Sequence, residues 1–185
     1  MKTEPAPRFA WGITGSGHYL KESLAVCMTL PGVDLFLSKA GEEILHMYGY
    51  KLGDLKARMR IFRDSTASAA PVGLFYHGNY HTVIIGPASS NTVAKCALGI
   101  SDSLITNIFA RAGKCGLPSI VFACDTEPEV TTESPSEWVT LNPRRIDLQH
   151  TETLKTFENV QVVSSVEALQ QAITDRVTCL NISSS

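Results

Sequence analysis

The sequence predicts an α/β protein: a three-layer, Rossmann or flavodoxin-like domain with a mostly parallel sheet and helices on both faces. Three observations carry that expectation. Short β-branched and apolar runs alternate with stretches of helical periodicity along the chain. Repeated βα units imply parallel strands joined by crossover helices. A length of 185 residues is enough for one sizeable core and too short for two ordinary ones, so residues 1–185 are expected to form a single domain with its core at about 8–178.

Taken in order, RFAWGIT (8–14) is a first strand, and GHYLKESLAVCMTL (17–30) a first helix, with Leu20, Leu24, Val26 and Cys27 on one face. VDLFLS (33–38) is a second strand, and KAGEEILHMYGY (39–50) a helix whose acidic first turn suits the positive end of the helix dipole. Residues 51–80 are ambiguous: RMRIF fits a short strand or part of a helix, and DSTASAAP has the composition of a loop. TVIIG is a buried strand closed by Gly86 and Pro87, followed by helices over SSNTVAKCALG and SDSLITNIFARAGKCG, the latter ended by Gly113 and Gly116. PSIVFAC is the next strand. From Asp125 to Pro143 the chain is rich in Glu, Thr, Ser and Pro, with EWVTL as an edge strand. A short helix near 150–157, the strand VQVVSS, the helix VEALQQAITDRV and a frayed tail NISSS complete the pattern.

Composition removes several function classes. A formal net charge of −2 supplies no basic field for a polyphosphate backbone, so no nucleic-acid partner is expected. The start, MKTEPAPRFAWG, lacks the apolar core of a secretion signal, and no run approaches the ~20 apolar residues that cross a bilayer. A cytoplasmic protein without a membrane partner is expected. The five cysteines are odd in number and never spaced C-x-x-C, and the five histidines show no ligand spacing, so neither a disulfide framework nor a metal site is expected.

The informative stretch is PASSNTVAKCALGISDS (87–103), with hydroxyl and amide side chains at Ser89, Ser90, Asn91 and Thr92 and a second polar group at Ser101, Asp102 and Ser103. Helix capping accounts for one such residue. Four in a row also suit a polar ligand at the carboxyl end of a strand. GITGSGHYL (12–20) follows the first strand and opens the first helix, giving close backbone approach and free N–H groups for an anion. A full dinucleotide fingerprint needs G-x-G-x-x-G and an acidic residue at the end of the second strand, and here that strand ends in Ser38 and Lys39. That pair suits a phosphate, hence a mononucleotide. Thr14–Ser16, Ser38–Ala40 and Ser89–Thr92 would meet at the carboxyl edge of a parallel sheet; three unrelated polar helix starts are the alternative.

GITGSG, LSKAG and above all PASSNTVAKCALGISDSL resemble the homo-oligomeric flavin-containing cysteine decarboxylase superfamily, whose third motif usually reads P-A-S-A-N-T, then A-K and G-I-x-D. The resemblance covers about residues 8–124. It implies bound FMN, with cofactor ligands among Gly12, Thr14, Gly15 and Ser16 of the first loop, Ser38 and Lys39 of the second, and Pro87, Ser89, Ser90, Asn91, Thr92, Ser101 and Asp102 of the third. It also implies assembly from trimers, into a dodecamer or larger.

The decarboxylating members carry a histidine and an Ala-Asp pair before the third strand end. Here those positions fall near Gly73 and on Tyr80 and His81, and the P-x-M-N-x-x-M stretch is missing from 125–143. NPRRIDLQHTETLKTFENVQVVSSVEAL is instead similar to the archaeoflavoprotein and dihydromethanopterin reductase branch. That branch implies hydride transfer from reduced FMN to the C=N bond of dihydromethanopterin, a pterin substrate, and an electron donor that is a reduced pyridine nucleotide acting through a reductase or an iron–sulfur protein. Asn91 is the choice for orienting the ring system, since its amide offers a donor and an acceptor. His77, His81 or water supplies the proton. A flavin-dependent decarboxylase or prenyltransferase and an FMN electron-transfer protein are the rival classes.

Overall fold

The alternation of β1 (Arg8–Ile13) decides the layers, because side chains on a strand point to opposite faces. Phe9, Trp11 and Ile13 enter one core, while Ala10 and Gly12 face the other. The computed structural model describes residues 7–64 and 69–183. After β1 come α1 (Leu20–Thr29), β2 (Val33–Leu37), α2 (Lys39–Met47), α3 (Leu52–Lys56) and β3 (Arg60–Arg63). The chain continues through α4 (Ala69–Gly73), a 3-10 turn (Leu74–His77), β4 (Tyr80–Ala88), α5 (Ser90–Ala97), α6 (Leu104–Lys114) and β5 (Ser119–Ala123). It closes with β6 (Val130–Glu133), β7 (Trp138–Leu141), α7 (Arg145–Lys155), β8 (Val160–Val163) and α8 (Val166–Ser183).

Six strands form one sheet in the order β3-β2-β1-β4-β5-β8, every neighbouring pair parallel, and β6 and β7 form a separate antiparallel hairpin. This is the doubly wound strand order, in which the direction of winding reverses between β1 and β4. On one face, Leu20, Leu24 and Cys27 of α1 and Leu169, Ala172 and Ile173 of α8 cover Trp11, Ile84 and Phe122. On the other, Leu104, Ile105 and Ile108 of α6 and Val93 and Cys96 of α5 cover Ala10, Val83, Ile85 and Val121, with α7 beside α5. Gly12 lies under α6, where an added Cβ would sit 3.2 Å from Ile105 Cδ1, so the missing side chain lets the helix approach the sheet.

One carboxylate is buried among the strands. Asp34 of β2 has no exposed side-chain surface and accepts from Arg8 Nε at 2.8 Å, from Arg60 Nε at 3.1 Å and from the Tyr80 hydroxyl at 2.8 Å. These partners come from β1, β3 and β4, so the cluster ties together the amino-terminal half of the sheet.

Several boundaries differ from the sequence reading, each for a local reason. The first helix begins at Leu20, because Gly15 and Gly17 are pressed against Ala40 and Tyr48 and Tyr19 adopts a left-handed backbone with φ 61°. β4 does not stop at Gly86 and Pro87. It runs on to Ala88 with a shift of register toward β5 between Ile85 and Ala88, which absorbs the missing N–H of Pro87. RMRIF resolves as the edge strand β3, and residues 69–71 of the expected loop belong to α4, while 65–68 lie outside the described residues. EWVTL pairs with Val130–Glu133 as a hairpin instead of joining the main sheet. The helix expected from 150 starts at Arg145, where Arg144 and Asp147 form a reciprocal cap. α8 continues over Asn181–Ser183 of the expected frayed tail, whose last residues, Ser184 and Ser185, lie outside the described residues.

Candidate functional site at the carboxyl edge of the sheet

The reversal of winding between β1 and β4 opens a crevice at their carboxyl ends. Its geometry starts with Thr14, which is buried just past β1. The Thr14 hydroxyl donates to the Pro87 carbonyl at 2.7 Å and accepts from Ser89 N–H at 2.9 Å, clasping the end of β1 to the end of β4. Gly15 follows, and a Cβ on it would fall 2.6 Å from the Ala40 Cβ, so the backbone here lies against the start of α2.

Three helices of eight or more residues begin at this edge, each capped by a serine. Ser38 accepts from Gly41 N–H at 2.9 Å, Ser89 from Thr92 N–H at 3.4 Å and Ser103 from Thr106 N–H at 3.3 Å. Their remaining first-turn N–H groups have no partner within the helix, and the positive dipole ends lie together. Between them is a cavity of about 590 Å³. It is lined by Gly15, by Ser38, Lys39 and Ala40 of the α2 start, by Asp64 after β3, by Ser89, Asn91, Thr92 and Lys95 along α5, and by Asp102 and Ser103 before α6. Lys95 pairs with Asp102 at 2.8 Å, and this contact holds the Asp102 carboxyl below its ordinary range. Lys39 and Asp64 make no ion pair among the described residues.

The cavity therefore gathers Gly15, Ser38, Lys39, Ser89, Asn91, Thr92 and Asp102 of the expected site. Asn91 is exposed in it, and its amide makes no hydrogen bond among the described residues. The other expected residues lie elsewhere. Gly12 is in the core, and Thr14 and Pro87 form the clasp beneath the cavity. Ser16 turns toward Cys124, whose thiol is pushed up to about 12, burial being the main cause. Ser90 donates to Asp125 after β5. Ser101 lines a separate cavity with Phe109 and Phe157.

The two histidines lie apart from this cavity. His77 is exposed in the turn before β4, and His81 is the second residue of that strand, at the amino edge of the sheet. Eight residues of extended chain separate His81 from Ser89, roughly 26 Å at about 3.3 Å per residue, so neither ring reaches the cavity of its own chain. His81 packs edge-on against Phe9 at 4.3 Å, and burial, followed by the nearby Arg176, lowers its pKa to about 4. The sequence offered only their proximity to a family position, without the direction of the strand between.

Asp64 and Lys95 were missed, and Ser103 was noted only as part of a polar group. Asp64 lies within the segment that could not be assigned, and Lys95 stands one helical turn after Asn91, a spacing that puts both on one face of α5. His18 was also missed: its ring lies 3.7 Å from Tyr19 in the glycine loop, its carbonyl accepts from the Cys124 thiol at 3.6 Å, and burial lowers its pKa against the opposing field of Asp125.

A phosphate with a polar chain and a flat ring fits this donor set. The helix starts, the serine hydroxyls and Lys39 suit an anion, and the volume falls in the range of cofactor pockets.

Comparison with known proteins agrees. The model of the Flavoprotein family matches residues 2–180. A dihydromethanopterin reductase (acceptor) of Methanosarcina mazei is 36% identical over 186 residues, covering 94% of this chain and 75% of that protein. The crystal structure of DmrB from Burkholderia xenovorans in complex with FMN, described as a cubic protein cage for redox transfer, has a TM-score of 0.90 at 56% identity, over 96% of this chain and 99% of that one. A dodecameric FMN-dependent UbiX-like decarboxylase from Escherichia coli O157:H7 shares the fold, with a TM-score of 0.65 at 17% identity, over 85% and 79% of the two chains.

Proposed function

We propose, for a chain that belongs to the Flavoprotein family, that it is an FMN-dependent reductase of dihydromethanopterin. The observation that carries the reading is the convergence of three capped helix starts, Lys39 and a free Asn91 amide on one cavity at the β1–β4 switch point. Two relatives that share 36% of the sequence are named dihydromethanopterin reductases, while the decarboxylase neighbours share only the fold.

FMN, when bound, supplies the hydride for the C=N bond of the pterin. The chain's own residues bind and orient. The starts of α2 and α5, with Ser38, Ser89 and Lys39, hold the phosphate. Ser38, which caps α2 through its lone pair, keeps its own proton for an anion, while the Ser89 hydroxyl also lies 3.2 Å from that of Thr92. Asn91 presents donor and acceptor to the ring system. His77 and His81 do not reach the cavity of their own chain, and water entering the cavity brings the proton for the pterin nitrogen. Electrons arrive from a reduced pyridine nucleotide through a reductase or from an iron–sulfur protein. The assembly is a homo-oligomer built from trimers, a dodecamer or larger, and the protein works in the cytoplasm. Among the described residues no helix is long and apolar enough to cross a membrane.

The test is spectroscopic. The protein purifies yellow, releases FMN and not FAD, and after anaerobic chemical reduction regains its visible absorbance when dihydromethanopterin is added. Reoxidation no faster than with buffer alone, or release of FAD, refutes the reading.

A further inference from the structure

A ring with an odd number of copies cannot close through one self-complementary patch; each chain must offer two different surfaces that fit each other. The separation of charge along this chain supplies such a pair. Residues 51–63 hold five basic side chains and one acidic one, Asp54, whereas residues 125–137 hold five acidic side chains and no basic one, in a chain of formal net charge −2. The first run lies on α3 and the edge strand β3, and the second on the approach to the β6–β7 hairpin and on the hairpin itself. Arg60 and Arg63 pair with Asp34 and Glu42, which leaves exposed Lys51, Lys56 and Arg58 without a carboxylate partner among the described residues. On the acidic side Glu133 pairs with Lys21, while exposed Glu127, Glu129 and Glu137 have no cationic partner among the described residues. Among those residues no hydrogen bond or ion pair joins the two segments to each other.

Both surfaces also carry apolar side chains that the fold leaves in water. Trp138 on the hairpin is 70% exposed, and Met47, at the end of α2 just before the basic run, is 58% exposed. Met28, also exposed, lies 3.9 Å from Arg58. An isolated two-stranded hairpin is marginal in water, and the polar ties of this one to the rest of the chain converge on Glu133, through Lys21 and the Tyr48 hydroxyl. On the basic side, β3 is the last strand of its sheet, so its outer backbone groups have no ladder partner. We propose that the acidic hairpin of one copy docks on the basic α3–β3 edge of the next, with Trp138 as the apolar anchor, and that this head-to-tail contact builds the homo-oligomer. A foreign partner of either sign would need only one of these surfaces; opposite signs on one chain suit a second copy. The charges steer and select the contact, and the buried tryptophan supplies affinity. The assignment rests on the homo-oligomeric reading given above.

The test measures the molar mass of the FMN-loaded protein by light scattering and sedimentation over a range of concentrations, with circular dichroism to check that each variant is folded. Wild type has a multiple of the chain mass, and high salt weakens it. Reversing the arm (Glu127→Lys, Glu129→Lys and Glu137→Lys together) or the edge (Lys51→Glu, Lys56→Glu and Arg58→Glu together) raises the concentration of half-dissociation at least about tenfold. Trp138→Ser leaves the charges alone and shifts it in the same direction. All six reversals in one chain restore complementarity and return that concentration to within about threefold of wild type. Where a reversed set unfolds the chain, Gln at the same three positions carries the comparison. If either surface is altered and the mass is unchanged, the assignment is wrong although the homo-oligomeric reading stands. If both reversals dissociate the protein and the sixfold variant does not reassemble, the two surfaces do not meet and the proposal is overturned. If wild type is a monomer throughout, the homo-oligomeric reading and this inference fall together.

Discussion

Thr14→Val tests whether the clasp between β1 and β4 builds the site. Valine has nearly the shape of threonine and removes only the oxygen. The Thr14 hydroxyl serves two backbone groups, donating to the Pro87 carbonyl at 2.7 Å and accepting from the Ser89 N–H at 2.9 Å. Both lose their partner in the variant, beside a side chain that is 1% exposed, so water does not replace it easily. Leaving a buried backbone donor or acceptor unpaired costs about 1–3 kcal/mol, and two such groups give about 2–4 kcal/mol when one relaxes toward solvent. For a chain of this size each kcal/mol moves the melting temperature by about 2–4 °C, so a fall of roughly 4–16 °C is expected in the FMN-free protein. Ser89 is also the cap of α5, so the start of that helix shifts and FMN occupancy drops with it. Thr14→Ser keeps the oxygen and is expected to recover most of both. Calorimetric scans with and without added FMN measure the two effects. A Thr14→Val protein that melts within about 2 °C of wild type and stays yellow would show that the clasp does not organise the edge.

Four further outcomes are expected. His81 is held at about 4 by burial and by Arg176, against about 6.5 unfolded, so between these values the unfolded chain binds more protons; its contribution is complete above about pH 6.5 and is lost as the pH falls toward 4. After discounting for a half-exposed ring this amounts to about 1–2 kcal/mol, and His81→Asn is expected to flatten the melting temperature across that window without changing turnover at pH 7.5. Alkylation followed by mass spectrometry is expected to label exposed Cys179 first and Cys115 next, and to spare Cys27, Cys96 and Cys124, whose thiols burial pushes up to about 12; rapid loss of Cys124 would contradict its packing beneath the glycine loop. Asp34→Asn leaves Arg8 and Arg60 without their buried counter-charge, and because Arg60 is 54% exposed the cost in urea unfolding is about 2 kcal/mol, below the 3–5 kcal/mol of a fully enclosed pair. Asn91→Asp is expected to lower dihydropterin turnover per bound cofactor at least tenfold while retaining FMN, since it adds charge beside the reduced ring; full activity would remove Asn91 from its orienting role.

What was legible in the sequence follows the range of the interactions concerned. The strands with continuous apolar runs, VDLFL and SIVFA, and the polar loops after them were readable because hydrophobic periodicity and turn chemistry are local. The start of α1 was not, since its helical pattern extends back to Gly17 and only contacts with Ala40 and Tyr48, far along the chain, set the backbone there. Gly86 and Pro87 carry the local signature of a strand end, yet β4 passes through them because Trp11 Nε1 donates to the Gly86 carbonyl at 2.7 Å and Thr14 to that of Pro87. The same limit applied at the site. Ser38, Ser89, Asn91 and Thr92 were found from their positions after strands, whereas Asp64 and Lys95 become site residues only when β3 pairs with β2 and α5 turns its face to the cavity. His77 and His81 lie away from the cavity for the complementary reason: they are close in sequence to the site's third loop, but a nine-residue strand, β4, carries that loop to the opposite edge.

The capping and ligand readings of the hydroxyl run are not alternatives, and the geometry explains why. Ser38, Ser89 and Ser103 each accept one backbone N–H, and a hydroxyl that accepts in this way still has a proton to donate. The cap thus fixes the oxygen at the mouth of the helix; Ser38 keeps its donor for whatever occupies the cavity, while Ser89 and Ser103 also lie within 3.2 and 3.0 Å of the Thr92 and Thr106 hydroxyls. Asn91 plays no part in capping, and neither of its amide atoms has a hydrogen-bond partner among the described residues. A residue that the helix does not need, placed between two that it does, is the position where selection for chemistry can act without disturbing the scaffold. This separates the run into parts with different expected sensitivities: substitutions at Ser89 disturb stability and cofactor retention together, while those at Asn91 act on turnover alone.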